Sequence, residues 1–209
     1  MTRATPLIIL LLSLAMLGPG VALAQPMIHG SLSGTLGPGT YIVDGICGVA
    51  AGNSLTIQPG TTILFSGHYN WKIYGQLTAV GTEQDSIKFL RQNPESTCDW
   101  GGIKFFAGSS PNSAISYCVF DHAAWMNYPD VYGGAIYIES VAITVSHCFI
   151  SNCIATSGGG IYITGAAATV SDCIFFNNSA GNGGGLMAYM TTGTNVRNCI
   201  FGKNSATST

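Results

Sequence analysis

Asp121, His122 and Asp130 come nearest in this chain to a catalytic set. Two carboxyl groups across a scissile glycosidic bond can hydrolyse it, and an imidazole beside a carboxylate can serve as a general base. These residues bracket AAWMNYP, an enlarged stretch of sequence. Cys118 precedes Gly133 by 15 residues, whereas Cys148 and Cys173 precede Gly158 and Gly183 by 10. Enlarged loops on a rigid scaffold are where functional side chains gather. Trp125, Tyr128 and Tyr132 in or beside the loop offer flat faces to a sugar ring, and Tyr137 and Tyr162 should stack outside, one repeat apart. The bland alternatives are an exposed turn whose acids aid solubility and tyrosines that brace neighbouring strands.

The residue before each of four cysteines forms a second set: Tyr117, His147, Asp172 and Asn198. His147 and Asp172 are candidate neighbours on one outer face, with Arg197 close by. Such a pair is more often a surface contact of small consequence. Neither set brings a nucleophile or an oxyanion site. Cys118, Cys148, Cys173 and Cys199 read as a ladder of small buried hydrophobes, because stacked parallel Cα–Cβ vectors fit a disulfide poorly. Cys47 and Cys98 lie outside the ladder and are the candidates for a disulfide; with seven cysteines, at least one stays unpaired. No spacing suits a metal site. Asn178 and Asn204 read as an asparagine ladder whose amides bond from repeat to repeat. Asn177-Asn178-Ser179 is also a glycosylation sequon, meaningful only in a eukaryotic secretory route.

Stacked strands must position these residues. GGAIYI (133–138), GGGIYI (158–163) and GGGLMA (183–188) begin 25 residues apart, with SYCVF, SHCFI, SDCIF and RNCIF between or beside them. A fixed period in the twenties marks a solenoid. Alignment on the cysteines gives nearly uniform columns: Ile115, Val145, Val170, Val196; then Phe120, Ile150, Phe175, Phe201; then Ala123, Cys153, Asn178, Asn204. The glycine pairs lead to Ile136, Ile161, Leu186 and to Ile138, Ile163, Ala188. The apolar runs are short, β-branched or aromatic, and bounded by glycine or Asn-Ser clusters, which favours strand over helix. The expected fold is all-β: a right-handed, single-stranded parallel β-helix with coils of about 25 residues.

Three segments follow. Residues 1–24 read as a signal peptide, from Arg3 through an 11-residue apolar run to Ala22-Leu23-Ala24; that run is too short to span a bilayer. Residues 25–111 read as an N-terminal cap, with Gly30 to Gly39 as its turn, followed by irregular coils. Residues 112–209 are the regular coils. The next glycine pair would fall at 209, so a further C-terminal domain, or a partner covering the last coil, is expected. Charged residues make up 8% of the chain, and no basic stripe exists to bind nucleic acid. The apolar content of 47% argues against disorder.

At GGAI (133–136), its variants GGGI and GGGL, and the FxxN segments Phe149-Asn152, Phe175-Asn178 and Phe201-Asn204, the chain resembles the repeat of chlamydial polymorphic outer-membrane proteins. The resemblance spans roughly 112–209. Its Phe149-Asn152 match falls one residue out of register with the cysteine alignment. LTIQPGTTILF and GQLTAVGT also look like secreted bacterial β-helix proteins. The resemblance implies a secreted or cell-surface protein, with outer-membrane association and a glycan or host-surface ligand among its expectations. It brings no catalytic motif, no cofactor and no transmembrane helix in the mature chain. The first functional reading is thus a non-catalytic adhesive, glycan-binding or spacer module. The second is a pectate-lyase-like enzyme acting on an extracellular polysaccharide, the one case in which calcium is expected; fold analogy is its main support.

Overall fold

The computed structural model describes residues 24–95, 99–125 and 131–207, and every regular element among them is a β-strand. The strands pair in parallel with their counterparts one coil away, which is the arrangement of a parallel β-helix. The first face is a seven-stranded sheet running from Gly34–Leu36 to Asn195–Arg197. A 13-stranded sheet supplies the second and third faces. They are joined through Gly39–Val49, whose first half pairs with Thr61–Phe65 and whose last residues pair with Trp71–Ile73. The later coils add a short fourth face: Ala124–Trp125, Ile154–Ser157, Ser179–Asn182 and Ser205–Ala206.

Single left-handed residues turn the later coils. Tyr117, His147, Asp172 and Asn198 sit between the first and second faces with φ of 50–56°. His122, Asn152, Asn177 and Lys203 turn the chain from the second face to the fourth, and Ser140, Gly165 and Met190 return it from the third to the first. Gly133, Gly158 and Gly183 occupy the remaining corner, with φ of 61–64°. A non-glycine residue held there costs roughly 1–2 kcal/mol. At Gly133 and Gly158 an added Cβ would strike backbone of the same coil three residues on, so glycine is required on steric grounds as well.

Inward columns run unbroken. Leu36, Ile57, Ala79, Ile115, Val145, Val170 and Val196 follow one another in register on the first face. On the second, Ile63, Phe89, Phe120, Ile150, Phe175 and Phe201 do the same. Both columns expected after the glycine pairs are present on the third face, in register from Ile136 to Leu186 and from Ile138 to Ala188. Each fully buried aliphatic or phenyl side chain contributes roughly 1.5–3 kcal/mol. The early coils fill their interior with rings instead. Phe65 stacks on Trp100 at 4.2 Å, Phe89 on Phe120 at 4.9 Å, and Trp71 meets Phe89 edge-on.

Two local readings change. Gly30 to Gly39 is not simply a turn, because it includes Gly34–Leu36, a full member of the first face. Met27–Ser31 pairs with Gly39–Val49, so strand pairing extends the first coils. The Phe149-Asn152 motif match is a coincidence of spacing. Phe149 points outward and is 38% exposed, while Ile150 and Cys153 occupy the buried positions, as the cysteine alignment requires. Apart from Ala24, the expected signal peptide lies outside the described residues. Among the described residues, no helix is long and apolar enough to cross a membrane.

Candidate functional site

Charge collects at the corner between the second and fourth faces. Asp121 ends strand Cys118–Asp121, and the left-handed turn at His122 folds its imidazole back onto that carboxylate, Nδ1 to Oδ2 at 2.6 Å. Ser151 Oγ and Asn152 Nδ2 both donate to Oδ1 at 2.7 Å. Burial pushes the Asp121 carboxyl up, but the bonds from Ser151, Asn152 and His122 outweigh it and hold the group below the usual carboxylate range. Arg91 pairs with Asp99 at 3.1 Å, and a cavity of about 190 Å³ lies among Leu90, Arg91, Pro94, Asp121 and His122. Asn177 Nδ2 donates to Asn152 Oδ1 in turn, so Asp121 heads a corner ladder. Its Oδ1 anchors the next coil through Ser151 and Asn152, while Oδ2 holds His122 of its own coil. Asp130 and Tyr128 lie outside the described residues. Trp125 ends a two-residue strand and pairs with Ala155.

Tyr132, Tyr137 and Tyr162 come together on the outside of the third face. Tyr137 and Tyr162 are in register, 5.9 Å apart, and Tyr132 stacks on Tyr162 at 4.7 Å. Rings stacked on one another present mainly edges, whereas a sugar needs a ring face. Tyr162 is only 6% exposed, and burial raises its phenol. These rings brace the coils around Lys104, whose ammonium is buried and donates to the carbonyls of Tyr132 and Gly133.

A groove of about 520 Å³ runs along the corner between the first and second faces. Val119, Phe149 and Ile174 form its floor, one above another in register and pointing outward. Tyr117, His147 and Asp172 form its rim along that corner, and Thr82, Glu83 and Ser86, in the loop that turns the same corner one coil earlier, close one end. The Tyr117 and His147 rings stack at 4.5 Å. Asn198 donates to Asp172 at 3.1 Å and, with Ser171, holds that exposed carboxyl below its usual range. The rim was legible from the cysteine spacing. The floor was missed because Val119, Phe149 and Ile174 belong to runs that are apolar on both faces, so hydropathy alone does not mark which residue points out.

The cysteine ladder is a column, buried at Cys118, Cys148 and Cys173 and half-buried at Cys199. Each thiol donates to the carbonyl two residues earlier, at 3.3 Å for Cys118, 3.1 Å for Cys148, 3.2 Å for Cys173 and 3.3 Å for Cys199. Burial pushes the Cys148 thiol far up and Cys153 to about 12, so neither is a nucleophile near neutral pH. Cys47 also points into the core, and burial pushes it up to about 12; Cys98 lies outside the described residues. The Asn178 amide reaches both neighbouring coils. Its Oδ1 accepts from the Cys153 N–H at 2.9 Å, its Nδ2 donates to the Ile150 carbonyl at 2.9 Å, and its own N–H donates to Asn204 Oδ1 at 3.0 Å.

Residues 172–189 match the Chlamydia polymorphic membrane protein repeat. They run from the left-handed corner at Asp172 through Phe175 and the ladder residue Asn178 to the glycine corner and strand Leu186–Tyr189. The FxxN element is therefore an inward ring followed by a buried amide, and the glycine element is a tight corner followed by an inward aliphatic. No match was found among curated proteins or among solved structures. The chain is a parallel β-helix repeat protein that carries a repeat of the Chlamydia polymorphic membrane protein type.

Proposed function

We propose that this chain is a non-catalytic, surface-displayed β-helix that holds an extracellular ligand, a glycan or another cell-surface group, along the groove floored by Val119, Phe149 and Ile174. The repeat match points to a surface or outer-membrane protein. The groove carries the reading: outward apolar side chains lie in line on a sheet, with hydroxyl, imidazole and carboxylate groups along one corner and at one end. An apolar floor with a few placed polar groups suits ligand capture. Of the best catalytic candidates, Asp121 is engaged by Ser151 and Asn152 of the next coil, and His122 bonds to Asp121.

The test is a panel of polysaccharides and host-cell surfaces presented to the full chain, with binding and product release scored with and without calcium. Phe149→Asp and Ile174→Asp replace outward side chains and should abolish binding while leaving the melting temperature nearly unchanged. Release of sugar products that disappears with Asp121→Ala would replace this reading with the enzyme.

A further inference from the structure

An apolar recess of about 300 Å³ lies on the outside of the third face in the first coils, away from the groove. Strand pairing explains the hollow. Met27–Ser31 runs beside Gly39–Val49, which runs beside Trp71–Ile73, so Ser31, Gly48 and Lys72 stand in one outward row. Gly48 brings no side chain to that row, and an added Cβ there would lie 2.9 Å from the Lys72 carbonyl oxygen. The close approach of the two strands thus requires glycine and leaves the floor bare. Ile46, outward and 57% exposed, joins the lining from the strand's own coil, and Tyr74 joins it from the next.

Tyr74 follows strand Trp71–Ile73, and the register, continued by one residue, sets Ala50 beside it one coil before and Phe106 one coil after. Phe106 stacks on one face of the Tyr74 ring at 5.0 Å. The other face looks toward Ala50, whose methyl group lines the recess with it. Lys72 is the one charged residue in the lining. Its ammonium has no ion pair or hydrogen bond among the described residues. Lys104, in register one coil on, is buried and donates to the carbonyls of Tyr132 and Gly133. Asp44, two residues before Ile46, is bonded to His29 at 2.8 Å and does not line the recess. A separate recess at the adjoining corner, lined by Asn53, Gln76 and Ser110, is polar and takes no part.

We propose that this recess binds one amphiphilic anion, a medium-length hydrocarbon chain that ends in a carboxylate. Besides Lys72, only Ser31 and the Tyr74 phenol bring polar side-chain atoms to the lining, so a hydrocarbon gains more there than a ligand covered in hydroxyls. The chain packs along Ile46 and the open ring face of Tyr74. The Lys72 ammonium, a compact charge on a flexible stem, reaches the head group from beside that ring. At the roughly 30 Å³ that a water molecule occupies in the liquid, the recess has room for about ten heavy atoms, the size of one chain and not of a two-chain lipid. The site is independent of the groove and of the ligand proposed there.

The experiment titrates the full chain by calorimetry with decanoate below its micelle concentration, and with decanol, decyltrimethylammonium and galacturonate as comparisons. Decanoate should bind, and decanol should bind about tenfold or more weakly, the worth of a hydrogen bond to a charged group. The cationic chain and the acidic sugar should not bind. Lys72→Gln should bring decanoate down to the level of decanol, and Tyr74→Ala should weaken both. Ile46→Asp, at an exposed position, should abolish binding with the melting temperature nearly unchanged; this variant decides the matter if Tyr74→Ala unfolds. Phe149→Asp, in the groove, should leave decanoate binding intact. Equal affinity for decanoate and decyltrimethylammonium, a preference for galacturonate, or decanoate binding that survives both Lys72→Gln and Ile46→Asp would overturn the proposal. Loss of binding in Phe149→Asp alone would overturn it by moving the chain to the groove. Failure of decanoate to bind at all would overturn it too, and would leave the groove to be judged by its own panel.

Discussion

Coils before and after Tyr117 solve the same problem by different means. Among the described residues before it, glycine alone takes a left-handed conformation, and longer loops help to turn the chain. From Tyr117 onward, tyrosine, histidine, aspartate, asparagine, serine, methionine and lysine all do so at single-residue corners. The later coils offset that cost by stacking like on like. Aliphatic columns, the thiol column and amide ladders repeat at the strand spacing of about 4.8 Å. The early coils repeat less and pack larger rings. Their looser corners leave a recess beside Tyr74 and close one end of the groove, while the regular coils supply the groove floor. Regularity here builds the scaffold and the flat floor, and irregularity builds the concavities.

The sharpest way to break this contrast is to empty the aromatic core. Trp100 is fully buried, stacks on Phe65 and donates from Nε1 to the Asp121 carbonyl at 2.9 Å. Trp100→Ala should destabilise the chain by about 3–5 kcal/mol in urea unfolding, whereas Ile161→Val in the regular columns should cost only about 0.5–1.5 kcal/mol. Equal losses would show that the two halves are packed alike.

Asn178→Ala comes next. It leaves the Cys153 N–H and the Ile150 carbonyl without their partner, at about 1–3 kcal/mol for each buried group. Hydrogen exchange at Cys153 should accelerate together with the fall in stability. Protection that persists would sink the ladder as a stabilising element.

Acid should act on the ladder head. Asp121 is held below the ordinary carboxylate pKa of about 3.9. Its contribution is fully present above that value and is lost as pH falls through the lower native one. Asp99 works in the opposite sense. Burial raises its carboxyl against the pull of Arg91, so stability is regained as pH falls through its raised native pKa. Melting curves of Asp121→Asn should therefore show a shallower acid loss than the parent, and Asp99→Asn a steeper one.

The smallest effect is expected at Met190, a corner at φ 49° that is 78% exposed. Met190→Gly relieves the left-handed strain at some entropic cost and should stabilise by roughly 0.5 kcal/mol. A loss instead would mean that the regular corners depend on side-chain contacts as well as backbone geometry.

Much of the architecture was legible because stacking copies itself into the sequence. The cysteine alignment found the Val145–Val170 and Ile150–Phe175 columns, and the asparagine ladder, from spacing alone. The position before each cysteine was readable as a set, but its backbone role was not, since tyrosine, histidine, aspartate and asparagine share no chemistry that announces a left-handed turn. Asp121 and His122 stood out by type, yet Ser151 and Asn152, about 30 residues later, are what engage the carboxylate. Tyr74 has no repeat partner to draw attention to it, and Phe106, on which it stacks, comes beside it only once the coils are in register.

By itself the sequence determined the parallel β-helix, its period and its buried columns, because like residues at equivalent positions must stack when every coil pairs with the next. The tertiary structure decided which apolar residue of each run faces out, which rings stack and which carboxylate is engaged. Those outcomes depend on contacts between residues 24 to 36 positions apart, and the side chain that arrives from the neighbouring coil is not written beside the one it meets.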